Sequence, residues 1–379
     1  LVGSEMCIRD SYVPYMSVKL KGKSDNESAN ASMSVRTGRE CFRALTTPEA
    51  VTLVSSAGKV RASVPAGSKA TADMVQTDEA FWSVFSFRFL SGTGFTRADC
   101  DAGLPRAVLS ATIARQLFGT TDVVGHTVQL NYIDYTVAGV VADVSMLATA
   151  AYAQIWVPYT AADAESLSWQ DDTMGPMHAV ILAHSSADFD AIRKETELLR
   201  QKYNDGLRDV EIFYRGQPDT QLAYLYRRWY AEPDVPGVML RYGIVIAILL
   251  LVPAVNVSGM TLSRMRRRMA EIGVRKAFGA TGGELIRQVF FENFVLTLLA
   301  GVVGLALSYA ATFLLNDFLF SNSTNAYLSG ETALTPGMLL SPWAFIAAFA
   351  FCLLMNVLSA GIPAWRASRM NITDAINQR

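Results

Sequence analysis

The segment from Ser263 to Asn293, SRMRRRMAEIGVRKAFGATGGELIRQVFFEN, constrains this chain more than any other: it is basic, patterned like a helix, and held between two long apolar runs. Crossing the hydrocarbon core of a bilayer takes about 20 mostly apolar residues in a helix. Three stretches meet that requirement, 242–263, 293–316 and 343–365, and no charged residue falls between Arg241 and Arg264. A single run of this kind also fits a buried core helix, but three in one chain read as membrane spans. The basic segment then becomes a short loop, 264–292, joining the first two.

Positive charge in short flanks sets orientation. The first loop carries Arg264, Arg266, Arg267, Arg268, Arg275, Lys276 and Arg287, and the tail carries Arg366, Arg369 and Arg379. The stretch from Asp317 to Pro342 holds no Lys or Arg. The first loop and the tail are expected in the cytoplasm, with the middle loop and residues 12–236 outside. A large N-terminal domain on the outer side calls for a span upstream of it, so a fourth span is expected before residue 12. The opening LVGSEMCIRDS, Leu1 to Ser11, resembles a translated sequencing-adapter scar and is set aside.

Composition narrows the function. A formal net charge of −1 gives no clustered basic face for nucleic acid. Polar residues inside the spans include Asn256, Ser258, Ser308, Asn356 and Ser359, with no Asp, Glu, Lys, Arg or His at mid-depth. Proton relays and ion pathways usually place one there. His126, His178 and His184 lack metal-ligand spacing, and the sequence contains neither G-x-S-x-G nor G-x-x-x-x-G-K-[ST]. GATGGE at Gly279 lacks the Lys that would reach a phosphate. No cofactor, metal or catalytic residue is therefore assigned. Cys41 and Cys100 fit either a disulfide or two separate reduced thiols, the second being the simpler reading. In the second span Ala300, Gly304, Ser308 and Thr312 recur every four residues, a spacing at which helix backbones approach closely. It suits a contact between spans of one chain and a dimer seam equally well.

The loop 264–292 reads as a bent pair of helices. Met265, Met269 and Ile272 share a face that prolongs the first span. Gly279 is placed to end that helix in the left-handed region. Thr281 and Glu284 form a T-x-x-E capping box that opens a second helix, which runs straight into span two. Attraction of the arginines to anionic lipid, worth about 1 kcal/mol per charge, accounts for Arg266 to Arg268. It does not account for EIGVRKAFGA, whose mixed apolar and charged surface, with Ile272, Val274 and Phe278, points to a protein contact.

Residues 12–236 read as mixed α/β. Ser110 caps a helix through Phe118 that Gly119 stops. Tyr135 to Val141, Ala179 to Ala183 and Val210 to Tyr214 read as strands, and Asp188 to Tyr203 as an amphipathic helix. Gln217 to Ala231 reads as a helix leading toward the first span and interrupted by Pro233 and Pro236. Its aromatics Tyr224, Tyr226, Trp229 and Tyr230 fit the core or an interfacial belt, the core being favoured.

EIGVRKAFGAT at Glu271 to Thr281, with E-N-F at Glu292 to Phe294 and PAWRASRMNITDAI at Pro363 to Ile376, resembles the permease signature of the FtsX/MacB-like ABC transporter family. FWSVFSFRFLSGTGF at Phe81 to Phe95, AVLSATIARQLFG at Ala107 to Gly119 and VVGHTVQLNYIDYTVAGVVADV at Val123 to Val144 resemble, in that order, its MacB-type periplasmic core domain. The resemblance implies a multi-pass inner-membrane protein: an α-helical transmembrane bundle, 237–379, with an extracytoplasmic α/β domain, 12–236. It implies four spans, with the domain between the first and second. It further implies that Glu271, Ile272, Gly273, Val274, Arg275, Lys276 and Ala277 form a coupling helix against a separate ABC ATP-binding subunit. A homodimer or paired permease, and a periplasmic adaptor or outer-membrane channel, are the other expected partners. Export or efflux is the favoured role. The alternative is a non-transporting subunit for mechanotransmission or signalling, of the kind that activates cell-wall hydrolases or releases lipoproteins.

Overall fold

The computed structural model describes residues 10–65, 68–144, 148–227, 231–249, 251–252, 274, 278–279, 281–314 and 346–355. They fall into two compact units, one ending at Val235 and the other beginning at Pro236.

The first unit is built on alternating strands whose apolar side chains face inward. Six of them close on themselves: β5 (Gly58–Ser63), β6 (Lys69–Thr77), β8 (Arg106–Ser110), β9 (Thr127–Leu130), β10 (Ile133–Val141) and β11 (Ile155–Pro158). The ring runs β5–β6–β11–β8–β10–β9 and back to β5. Closure removes the open edges that a sheet otherwise exposes. Val60, Ala72, Leu109, Val128, Leu130, Val137 and Ile155 fill this barrel, and the helix Ala111–Phe118 packs into the same cluster through Ile113 and Leu117. The helix starts and stops where its sequence says it must. The Ser110 hydroxyl accepts from the Ile113 N–H, and Gly119 ends the helix at φ +79.

The sheet continues from β6 through β4 (Ala50–Ser55), β12 (Met177–Leu182) and β1 (Asp10–Val13) to β14 (Asp219–Thr220). A second sheet joins β13 (Val210–Phe213), β2 (Met16–Leu20) and β3 (Ala29–Ala31). Its core cluster takes in Val18 and Ile212 from this sheet, Leu53 and Ile181 from the first, and Ile192 and Tyr203 from the helix Phe189–Gly206. The mixed α/β reading stands, and the strands expected at 135–141, 179–183 and 210–214 are present with slightly shifted ends.

FWSVFSFRFLSGTGF packs as an aromatic cluster. Trp82 has Phe87, Phe89, Phe95 and Trp156 around it with ring centroids 5.2 to 6.2 Å away. Gly94 is required there, since a Cβ would lie 2.5 Å from Trp82 Cδ1. Cys41 and Cys100 are both free and sit in different core clusters, so the disulfide is excluded. Burial pushes both thiols up to about 12, which leaves them unreactive.

One element differs from its sequence reading. The helix expected over 217–231 is only Gln221–Tyr226, because Asp219 and Thr220 pair with β1 and Thr220 then caps the helix through the Ala223 N–H. Tyr224 stacks on Tyr12 and belongs to the core, while Trp229 and Tyr230 lie outside the described residues. Pro236 does not interrupt a helix but sits in the first turn of the next, Val235–Leu249, where its missing N–H costs nothing.

Candidate functional site

In the second unit the described part of the elbow begins at Val274, Phe278 and Gly279. The Phe278 N–H donates to the Val274 carbonyl at 3.1 Å, and Gly279 then turns left-handed at φ +94. Among the described residues no neighbouring atom lies within 4 Å of where its Cβ would be, and the backbone conformation itself selects glycine. The capping box is formed in both directions. The Thr281 N–H donates to Glu284 Oε2 at 3.0 Å, and the Glu284 N–H donates to Thr281 Oγ1 at 3.3 Å. The two bonds from Thr281, its backbone N–H first, hold the Glu284 carboxyl below the usual carboxylate range. It is therefore an anion at the N-terminus of the helix, where the helix dipole favours one.

That helix runs without a break over Gly282–Leu314, 33 residues. Its stretch Phe294–Ala311 has a mean hydropathy of 2.1 and is long and apolar enough to cross a membrane. Val235–Leu249 and Ile346–Met355 are shorter apolar helices, and the remainder of the first and third expected spans lies outside the described residues.

Of the seven residues assigned to the coupling surface, only Val274 is described; Glu271, Ile272, Gly273, Arg275, Lys276 and Ala277 lie outside. Val274 and Phe278 are 50% and 89% exposed, an apolar pair four residues apart at the bend. An exposed apolar pair of this kind offers a contact surface. Within the second unit, Gly301 is the close-approach residue: a Cβ there would lie 3.4 Å from Phe349 Cδ2 of the helix Ile346–Met355. Ala300, Gly304 and Ser308 are exposed, with open space beside Gly304, and the Thr312 side chain lies outside the described residues.

Where the first unit hands the chain on, a buried ion pair forms that no sequence motif announces. The Arg227 guanidinium clasps the Asp219 carboxylate with two bonds, and both side chains are almost wholly buried. Two of its three remaining N–H groups donate to the carbonyls of Arg215 and Ala231 at 3.1 and 3.0 Å. One side chain thus ties the segment following Tyr226 back onto the sheet. A D-x₇-R pair whose partners sit in a two-residue strand and just past the helix Gln221–Tyr226 is invisible to periodicity. Among the described residues, no three His, Cys, Asp or Glu side chains are grouped as metal ligands.

A strand-rich unit is thus joined to a second unit that holds a helix of membrane length. The sequence signature of the MacB-like periplasmic core domain matches residues 12–199, and that of the FtsX-like permease C-terminal matches 243–372. The chain belongs to the MacB/FtsX-type family of ABC transporter permeases, which are membrane proteins. Among its relatives, the pyoverdine export ATP-binding/permease protein PvdT of Pseudomonas aeruginosa is 25% identical over 78% of this chain and 41% of its own length. The macrolide export ATP-binding/permease protein MacB of Chromobacterium violaceum is 26% identical over 80% of this chain and 43% of its own. The ABC transporter permease YknZ of Bacillus subtilis is 25% identical over 79% and 68%. The chain therefore spans about two fifths of the length of the first two.

Proposed function

We propose that this chain is the permease subunit of a bacterial ABC export system, driven by ATP hydrolysis on a separate cytoplasmic subunit. The observation that carries this reading is the unbroken helix from the Thr281 cap to Leu314. A surface at one end of such a rod moves with the apolar segment at the other. The elbow 264–292 lies in the cytoplasm, with Glu271 to Ala277 seated on the ATP-binding subunit. Closure of that subunit's dimer pushes the elbow, and the spans 242–263, 293–316 and 343–365, with a fourth upstream, pass the displacement to the periplasmic domain. The protein works as a homodimer or paired permease in the inner membrane, and an adaptor or outer-membrane channel receives the cargo. Export is favoured over signalling because two relatives are named for pyoverdine and macrolide export.

The test is a double substitution, Ile272→Ala with Arg275→Glu, in the assembled transporter. Partner ATPase activity should persist while its stimulation by the permease and transport both fall, by roughly tenfold for a lost contact worth about 1.4 kcal/mol. Wild-type coupling in that variant would refute the seating of 271–277 on the ATPase.

A further inference from the structure

A cleft of about 520 Å³ opens in the periplasmic domain, between β1, β12, the turn joining β4 to β5, and residues 149–152. That volume suits a drug-sized molecule. Its floor is apolar, made by Val54, Val75 and Val180 of the core cluster together with Ala150. One wall is the stacked pair Tyr12 and Tyr224, ring centroids 4.6 Å apart at 19°. Tyr15 stands edge-on to His178 beside it, at 6.5 Å and 86°. A smaller recess of about 280 Å³ shares Tyr15, Ser32 and Ser56 with the cleft and reaches Trp169.

Among the described residues, the charged and titratable groups lining the cleft are His178, Arg227 and tyrosines. His178 Nδ1 lies 2.7 Å from the Pro14 carbonyl oxygen, which can only accept, so Nδ1 carries a hydrogen and donates it. Burial lowers the His178 pKa, so the ring is neutral at pH 7. Its Nε2 is then an acceptor, and it takes the hydroxyl hydrogen of Ser56, 2.9 Å away. Arg227 also lines the cleft, but its guanidinium is committed to Asp219 and two carbonyls. The Tyr152 hydroxyl donates to Asp73 Oδ2 at 3.0 Å. Among the described residues, no carboxylate lines the cleft.

A charged ligand would lose its hydration here without gaining a counter-charge, which is strongly unfavourable. An aromatic ring gains the tyrosine wall and the valine floor. Ser56 has given its hydrogen to His178, so its oxygen faces the cleft rim as an acceptor and calls for a donor on the ligand. We propose that this cleft binds an uncharged aromatic small molecule carrying a hydroxyl or N–H group, with the ring against Tyr12 and Tyr224 and the donor on Ser56.

The experiment uses the full chain in nanodiscs, with binding to empty nanodiscs subtracted. The probes are 2-naphthol, its methyl ether 2-methoxynaphthalene, which lacks the donor, and 2-naphthoate, which is anionic. 2-Naphthol should bind saturably, and both analogues should bind about tenfold more weakly or not at all, because a site built around a hydrogen bond rejects a ligand that lacks it. Ala150→Trp fills the floor and should abolish saturable binding. If its thermal melt shows that it does not fold, Ser56→Trp at the exposed rim replaces it. No saturable binding of 2-naphthol, equal affinity for 2-naphthoate, or undiminished binding by the filled variant would each overturn the proposal. The measurement needs neither ATP nor a partner, so its failure leaves the export reading standing, and loss of coupling in the elbow variant leaves this site untouched.

Discussion

At the scale of single residues, the periplasmic domain carries a carboxyl, that of Asp78, whose protonation changes near pH 6. Asp78 is 1% exposed, and burial pushes its pKa up to about 6, against the pull of Arg43 and of hydrogen bonds from the Leu53 N–H and Thr52 hydroxyl. A carboxyl in the unfolded chain titrates near 3.9. The folded state therefore holds the proton more tightly. The associated stability is fully present below about pH 4, is lost as pH rises through about 6, and amounts to about 3 kcal/mol at most. Asp78→Asn should remove this slope. It should also destabilise the domain by about 1–3 kcal/mol at low pH, because the amide turns a donor toward the Leu53 N–H that donates to Oδ2 at 3.0 Å. Thermal melts of wild type and variant from pH 4 to pH 7 should therefore converge as pH rises. A constant gap across that range would remove Asp78 as the titrating group. No sequence pattern marks this residue: its burial depends on β4 and β6 meeting at Val54 and Thr77, which pattern reading cannot see.

At the scale of elements, the chain is most legible where a signal is local. Ser110 and Gly119 bound their helix, and Thr281 and Glu284 build the box that their spacing implies, because each motif satisfies backbone groups within a few residues of itself. The barrel was not legible. Its closure depends on the parallel pairing of β6 with β11, Met74 opposite Ile155, and nothing near either strand records that partnership. The exit helix was overestimated for a related reason: Asp219 and Thr220 look helical by periodicity but are taken by β1. The continuity of Gly282–Leu314, by contrast, follows from the sequence, since neither proline nor a capping signal falls inside it. That continuity is mechanically testable. Gln288→Pro lies between the cap and the apolar stretch, and it removes a backbone hydrogen bond and clashes with the preceding turn, at about 3 kcal/mol or more. The kinked variant should still bind its ATPase partner through the elbow yet lose transport, as measured by co-purification and by cargo efflux. Retained transport would mean that displacement does not travel along this helix.

At the scale of the whole molecule, the proposed mechanism stands on the elbow and the periplasmic domain being on opposite sides of one membrane. The family supplies a membrane protein and a periplasmic domain, and the charge pattern supplies the side for each segment. Two variants, each with one accessible cysteine, read this out. Asp190→Cys lies on the exposed first turn of the helix Phe189–Gly206, and Arg275→Cys lies in the segment proposed to couple to the ATPase. Cys7 and Cys352 are replaced by Ser in both, while Cys41 and Cys100 stay because burial keeps them protonated and shielded. A bulky, membrane-impermeant maleimide applied to spheroplasts should label Asp190→Cys and spare Arg275→Cys. Applied to inverted vesicles it should do the reverse. The contrast should be close to complete, because an impermeant reagent meets only one face of a sealed membrane. The seven basic residues from Arg264 to Arg287 against none from Asp317 to Pro342 make the opposite topology expensive to insert. Labelling of Arg275→Cys in intact spheroplasts would place the elbow outside, away from any ATPase, and the lever would have nothing to push it.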